Sequence, residues 1–485
     1  MSRTYDAIVV GSGPNGLSAA IALAQAQHSV LVVEAAATVG GGMRTAERTL
    51  PGFRHDICSS VHPLAVASPF WKTLPLQRFG LEWIHPPITF AHPLDNGTAV
   101  AQWRSLDHTA SRLGADAPAY RQLMAPFVAN AERLFADLVG PLGIPQYPWL
   151  AARFGWLGLR SAQGLAEAWF RTPPARALLA GLAAHAVLPL DRRPSAAVAL
   201  MLGIAGHHVG WPSPRGGAQQ LANALAAYFR QLGGEIQTGW PVKSLAKLPP
   251  TRVVLLDLSP RHVVTVAGHC LPHNYCRQLL RFRHGPGVFK VDWALAGPIP
   301  WQAVECRQAG TVHVGGTWEE VATAEIAPWR KQHAERPFVM LTQPGAFDSS
   351  RAPPGQTTAW GYCHVPPNST LDMTARIEAQ VERFAPGFRD LILARHTMNC
   401  QDMENYNPNY IGGDIVGGIA DLRQLFARPT LRLNPYTTPH PDLFLCSAST
   451  PPGAGVHGMC GYFAAQAALR RLRRLTRQSK GSNVL

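Results

Sequence analysis

Hydrophobic positions change their period twice within the first 34 residues. Tyr5-Asp-Ala-Ile-Val-Val10 is a short apolar run of the kind a buried strand requires. Leu17, Ala19, Ala20, Ile21, Leu23 and Ala24 then recur with helical spacing. Ser29 to Val33 is a second apolar run, and Glu34 ends it. Gly11-Ser-Gly-Pro-Asn-Gly16 joins the first run to the helix. The pattern predicts one strand–helix–strand unit with GxGxxG at its first turn.

Residues 105–180 follow a mostly helical pattern, broken at Pro118, Pro126, Pro141, Pro145 and Pro148. The stretch Trp149 to Phe170 is aromatic and carries Arg153 and Arg160. It reads either as the core of a helical subdomain or as an apolar rim that meets a membrane or admits a lipophilic substrate. In the second reading the arginines sit at headgroup level while Trp156 and Trp169 enter the interface. Pro214-Arg-Gly-Gly217 opens a helix marked by Leu221, Leu225, Tyr228, Phe229 and Leu232, and Gly233-Gly234 stops it. Glu235 to Val242 and Arg252 to Leu256 are expected as strands that return the chain to the first sheet. Phe289 to Leu295 alternates like a half-buried strand and is assigned to a second, antiparallel sheet; Arg376 to Phe384 is expected as a helix. Leu443 to Cys446 is a last strand, followed by a run of small residues from Ser447 to Gly461 and an Ala-rich helix from Phe463 to Leu472.

The chemistry of the first unit is that of a nucleotide clamp. Gly11 permits the tight turn, Gly13 lets the backbone approach a pyrophosphate, and Gly16 allows the helix to pack close to the strand. Beyond Pro14 and Asn15 the helix offers free N–H groups and a positive dipole end to phosphates. Glu34 falls where an acid accepts from ribose hydroxyls, which argues against a 2′-phosphate. A second glycine cluster, Gly40-Gly41-Gly42, precedes Arg44 and Thr45. It suits a dinucleotide wrapped from two sides and points to FAD. The small residues around Gly455 let backbone lie flat against a planar ring. A helix beginning at Gly458–Gly461 aims N–H groups at the negative charge of a reduced flavin.

The Gly-Gly-x-Arg-Thr element resembles the flavoprotein group that includes amine oxidases and carotenoid desaturases. Together with the Pro-Arg-Gly-Gly helix and Ala448-Ser-Thr-Pro-Pro-Gly-Ala-Gly-Val-His-Gly-Met459, the chain resembles the phytoene desaturase-like flavoproteins over nearly its whole length. The branch it is most similar to contains pyridine nucleotide-disulphide oxidoreductase domain-containing proteins. Ser447 stands where the desaturase signature has Gly, and Phe463 where relatives often have Asn. The resemblance implies an α/β fold: a Rossmann-type, glutathione reductase-like FAD-binding domain with an inserted mixed α+β substrate domain. The expected FAD-binding segments are 1–70, 214–287 and 406–485; the substrate segments are 71–213 (helical) and 288–405 (the sheet that roofs the flavin). It also places Gly41, Gly42 and Arg44 at the FAD, Val242 beside the adenine through its main chain, and Gly455, Val456, His457 and Met459 at the flavin. Family members desaturate, isomerise or saturate long apolar polyenes. His62, His457 and Asp414 are polar candidates near the flavin, but none is assigned as catalytic. An amine-oxidase-type or other small-molecule flavoenzyme, and a flavin-bearing protein without turnover, stay open.

Composition narrows this little. The chain has 485 residues, 46% hydrophobic and 15% charged, enough for more than one core. A net charge of +14 favours anionic partners, and its densest basic run is Arg470 to Lys480. That run reads as a solvated helix end or a membrane-surface contact; no nucleic-acid partner is expected. The 8 cysteines include no CxxC and no zinc spacing, so neither a redox disulfide nor a metal site is expected, and a reducing, cytoplasmic setting is. No signal peptide is expected before Tyr5, and no apolar stretch reaches the about 20 residues a spanning helix needs.

Overall fold

The structure is a computed structural model that describes residues 4–141 and 143–481. Its strands build two large sheets. In chain order they are β1 (Tyr5–Val10), β2 (Val30–Val33), β3 (Ile88–Pro93), β4 (Ala99–Gln102), β5 (Glu235–Gln237), β6 (Thr251–Leu256), β7 (Gly287–Leu295), β8 (Ala309–Val314), β9 (Val339–Thr342), β10 (Thr357–Val365), β11 (Ile392–Met398) and β12 (Leu443–Leu445). The helices that matter below are α1 (Pro14–Gln25), α2 (Ala117–Val128), α3 (Pro148–Gly158), α4 (Ala162–Trp169), α5 (Pro173–Ala184), α6 (Ser195–His208), α7 (Ala218–Gln231), α8 (Thr374–Phe384) and α9 (Met459–Gly481).

The first sheet runs β12-β6-β1-β2-β5 and all its pairings are parallel. Parallel strands need helices on both faces, and β1, β2 and β12 are correspondingly almost wholly buried. The chain leaves β1 through α1 to reach β2 on one side, and β6 lies on the other. Strand order therefore reverses at β1, and the crevice beyond the carboxyl ends of β1 and β6 is where such sheets take ligands. The α/β class with a Rossmann-type sheet is as the sequence predicts.

The second sheet runs β11-β7-β10-β9-β8-β3-β4; it is antiparallel except for the parallel pair β8–β3. The half-buried reading of Phe289–Leu295 is corrected here. Every residue of β7 is buried, because Trp293 and Val291 face an apolar core under α8 while Lys290 and Asp292 are buried on the opposite side. The alternation separates two interiors, not core from water. A second correction concerns residues 235–242: the strand ends at Gln237, and Gly239, at φ +71°, turns the chain so that the Trp240 N–H donates to the Glu34 carbonyl at 2.8 Å. Helix α5 packs against β3 and β4 of the second sheet, and α2, α3 and α4 gather on α6 beside it. Pro118 and Pro148 lie in the first turns of α2 and α3, where no N–H partner is needed; Pro126 lies inside α2. Among the described residues no helix is long and apolar enough to cross a membrane.

Candidate functional site

The crevice at the strand reversal is built from glycines pressed against neighbouring backbone. Gly11 adopts φ +103°, and a Cβ there would lie 3.0 Å from the Asp257 Cβ. A Cβ on Gly16 would lie 2.1 Å from the Gly11 carbonyl oxygen, so only glycine lets α1 start this close to β1. Gly13 faces the second glycine turn: a Cβ on Gly41, itself at φ +55°, would be 3.0 Å from the Gly13 Cα. The two turns thus meet at Gly13 and Gly41. Gly42 lies below Tyr410, and the Tyr406 hydroxyl donates to the Gly41 carbonyl at 2.6 Å.

Glu34, at the end of β2, organises this region. Its carboxylate accepts from the Ser12 N–H at 2.9 Å, the Ser12 hydroxyl at 2.6 Å, the Ala36 N–H at 2.9 Å and Arg44 at 3.2 Å. Arg44 also donates to the Thr38 carbonyl and packs over the Tyr406 ring. Val242, half-buried, lies two residues beyond Trp240, whose N–H bonds the Glu34 carbonyl.

Asp257, directly after β6, carries no motif that marks it in the sequence. It is 8% exposed and accepts from the Gly16 N–H at 3.0 Å. Burial pushes its carboxyl up, and the Glu34 charge adds to this; the amides of Gly16 and Gly13 oppose them, and the balance is about 7. A carboxyl raised to near neutrality therefore sits at the N-terminus of α1.

The C-terminal segment closes the crevice from the other end. The start of α9 lies on the start of α1: a Cβ on Gly461 would be 1.8 Å from the Asn15 carbonyl oxygen, and one on Gly458 would be 2.0 Å from the Ser18 Oγ. Gly455, at φ +119°, half-buried Val456 and buried Met459 flank His457. His457 accepts at Nδ1 from the Met459 N–H at 3.0 Å and leaves Nε2 buried without a partner. Burial lowers its imidazole to about 4, and lowers His62 to about 4 likewise. The Asn15 Oδ1 and His62 Nδ1 are also buried without partners. Asp414 has a different role: it accepts from the Gly285, Val416 and Gly418 N–H groups and from His284, which ties down a loop.

Two buried charge networks join the sheets, and neither is legible in the motifs. Arg351 is fully buried between Asp56, at 2.9 Å, and Asp348, at 3.0 Å. Burial raises the Asp56 carboxyl, but Arg351 outweighs it and holds the group at about 2. The same carboxylates accept from the Ala218 and Gly216 N–H groups, so they fasten the Pro-Arg-Gly-Gly turn to the Thr45–Asp56 region. In the second network Lys290 bonds Asp292 and lies 4.6 Å from the Trp360 ring centroid, with His55 and His396 near the same carboxylate. Beyond it, between α5 and the sheet, His185 and His313 share a 3.0 Å hydrogen bond against Trp211. Burial holds His185 down to about 3 and His313 well below its ordinary range, so both are neutral. His364 pairs with Glu325 at 2.8 Å nearby.

These residues fit a dinucleotide. Paired glycine turns admit a pyrophosphate, the positive end of α1 lies there, an acid ends β2, and Asn15 and His457 carry unpartnered polar atoms.

Comparison with known proteins bears on the chemistry. Residues 9–74 match the model of the NAD(P)-binding Rossmann-like domain, and residues 158–291 that of flavin containing amine oxidoreductases. The chain is a flavin-dependent oxidoreductase with FAD as its cofactor, and over residues 158–291 it is similar to the flavin containing amine oxidoreductases. It is 25% identical over 556 aligned positions to rat (Rattus norvegicus) pyridine nucleotide-disulfide oxidoreductase domain-containing protein 2, covering 97% of this chain and 94% of the relative. A limonene dehydrogenase subunit from Castellaniella defragrans is 30% identical over 116 residues, 24% of this chain and 21% of the relative. The fold is shared with putrescine oxidase bound to putrescine: TM-score 0.61, 16% identity, 98% of this chain and 100% of that one. All 8 cysteines are free thiols, so the disulfide in the rat relative's name has no counterpart among the described residues.

Proposed function

We propose that this oxidoreductase acts on carbon–carbon bonds of a lipophilic isoprenoid or polyene, by desaturation, isomerisation or saturation. The observation that carries the reading is the aromatic and imidazole packing between α5 and the second sheet. There burial keeps His185, His313 and His92 neutral, among Trp211, Phe90 and Phe338. A cationic amine brought against these rings loses its hydration, and the buried carboxylate nearest them, Glu325, is already paired with His364, whereas a hydrocarbon gains by leaving water. The similarity to the limonene dehydrogenase polypeptide, limited to 116 residues, points to the same substrate chemistry.

FAD, when bound, accepts or returns the hydride equivalents of such a reaction. The chain's own residues would bind and orient it: Glu34 would brace the loop on the adenosine side, the N-terminus of α1 would take the pyrophosphate, and the N-terminus of α9 would lie toward the ring.

The amine-oxidase reading is the alternative, because the matched model over 158–291 is that of amine oxidoreductases. Anaerobic mixing of the holoprotein with terpenoids, polyenes and primary amines separates the two by loss of the oxidised-flavin absorbance. Bleaching by a terpenoid or polyene, or reoxidation of reduced flavin by one, supports the proposal. Bleaching by amines alone rejects it, and no response to any donor leaves a flavin-bearing protein without turnover.

A further inference from the structure

Helix α3 buries Phe154 and Leu157 and turns Trp149 and Trp156 outward, 88% and 78% exposed. These two are seven residues apart, hence on one face of the helix. Ile144 just before the helix is 99% exposed. A second group of exposed apolar side chains, Phe426, Leu431 and Leu433, belongs to a part of the chain almost 300 residues away, and Leu431 and Leu433 are 81% and 110% exposed.

The two groups rise from one base. A Cβ on Gly140 would lie 3.4 Å from the Phe463 ring, and that ring stacks on Tyr436 with centroids 5.9 Å apart. Ile144 follows Gly140 by four residues, and Leu433 precedes Tyr436 by three. Beside this base Asn434, Thr437 and Thr438 face Arg470, Arg471 and Arg474 across a groove of about 320 Å³. Helix α9 carries Arg470, Arg471, Arg473, Arg474 and Arg477, with no acid between Met459 and Gln478; the Lys480 side chain lies outside the described residues. The acids close by are engaged: Asp442 holds Arg471 at 2.7 Å, and Asp137 accepts from the Gln146 and Tyr147 N–H groups.

We propose that this face docks on an anionic lipid bilayer. Ile144, Trp149, Trp156, Leu431 and Leu433 enter the interface, and Arg470 and Arg474 take the headgroup phosphates. Exposed tryptophans beside apolar loops and a basic groove are the chemistry of a membrane-surface contact, since indole rings favour the headgroup level and arginines pair with phosphate. The assignment refines the expectation from the sequence: Trp156 belongs to the face, whereas Trp169 is half-buried against the helical core. It does not depend on which substrate the flavin site takes.

The test is flotation of the FAD-loaded protein with vesicles of phosphatidylcholine alone or mixed with phosphatidylglycerol, at low and high salt. The parent should float with the anionic vesicles at low salt. Trp149→Ala with Trp156→Ala should lower the affinity about tenfold or more, a loss of about 1.4 kcal/mol. Arg470→Gln with Arg474→Gln should abolish the preference for anionic vesicles. Because the two tryptophans are exposed, the first variant keeps its melting temperature and flavin content. Failure of the parent to float with anionic vesicles overturns the proposal, as does parent-like binding by both variants. So does a parent that binds no vesicle but sediments as a dimer that the tryptophan variant dissociates, because a second copy then covers the face.

Discussion

Replacing Asp257 by Asn isolates a single buried proton. The carboxyl is pushed up from 3.8 to about 7, mainly by burial and then by Glu34. An unfolded chain loses this proton near pH 3.8, while the folded chain keeps it to about 7. Between those values the native state binds more protons, so stability falls as pH rises through that window and is level above it. About three pKa units at 1.36 kcal/mol each amount to about 4 kcal/mol. With an unfolding entropy of about 2.1 cal/mol/K per residue, a chain of 485 residues melts with about 1 kcal/mol/K, so the effect is about 4 °C. The amide retains an oxygen for the Gly16 N–H but has nothing to ionise. Melting curves of flavin-stripped parent and variant, taken from pH 4 to 8, should therefore diverge by about that amount in the variant's favour as pH rises. A difference between the two that stays constant across the range refutes the reasoning.

Three further outcomes are expected. Glu34→Ala removes the carboxylate that holds Ser12 and Arg44 and should weaken FAD retention by about 1–3 kcal/mol, read by flavin fluorescence on titration. Arg351→Met leaves Asp56 and Asp348 buried without their counter-charge and should cost about 3–5 kcal/mol in denaturant unfolding; a loss under about 1 kcal/mol would contradict the network's role. His207 is held down to about 4 by burial, so the folded chain resists a proton that the unfolded chain takes up below about 6.5. Stability is thus lost as pH falls through that window, and His207→Gln should flatten this limb by about 1.4 kcal/mol per pH unit in pH-dependent unfolding, even though its bond to Tyr120 is weakened.

Much of the cofactor region is legible in the sequence because its chemistry is local. A glycine with φ +103°, an amide-rich helix start and an acid at the end of the next strand all fall within residues 11–34, and backbone sterics allow few other residues there. The helix over 218–231, the strand over 251–256 and the small-residue loop before Met459 follow from period and composition for the same reason. What tertiary structure alone decided lies where partners are distant in sequence. Asp257 meets Gly16 across 241 residues, and Arg351 meets Asp56 across 295, so no window of sequence shows either pair. Periodicity reports that β7 has two kinds of face, but not that both are buried; that depended on α8 covering one and the charge network of Lys290 and Asp292 filling the other. The aromatic stretch from Trp149 to Phe170 left core and rim undecided, because helical spacing gives a relative face without saying what lies opposite. Packing of α2 and α6 on this helix put Phe154 and Leu157 in the core and left Trp149 and Trp156 exposed.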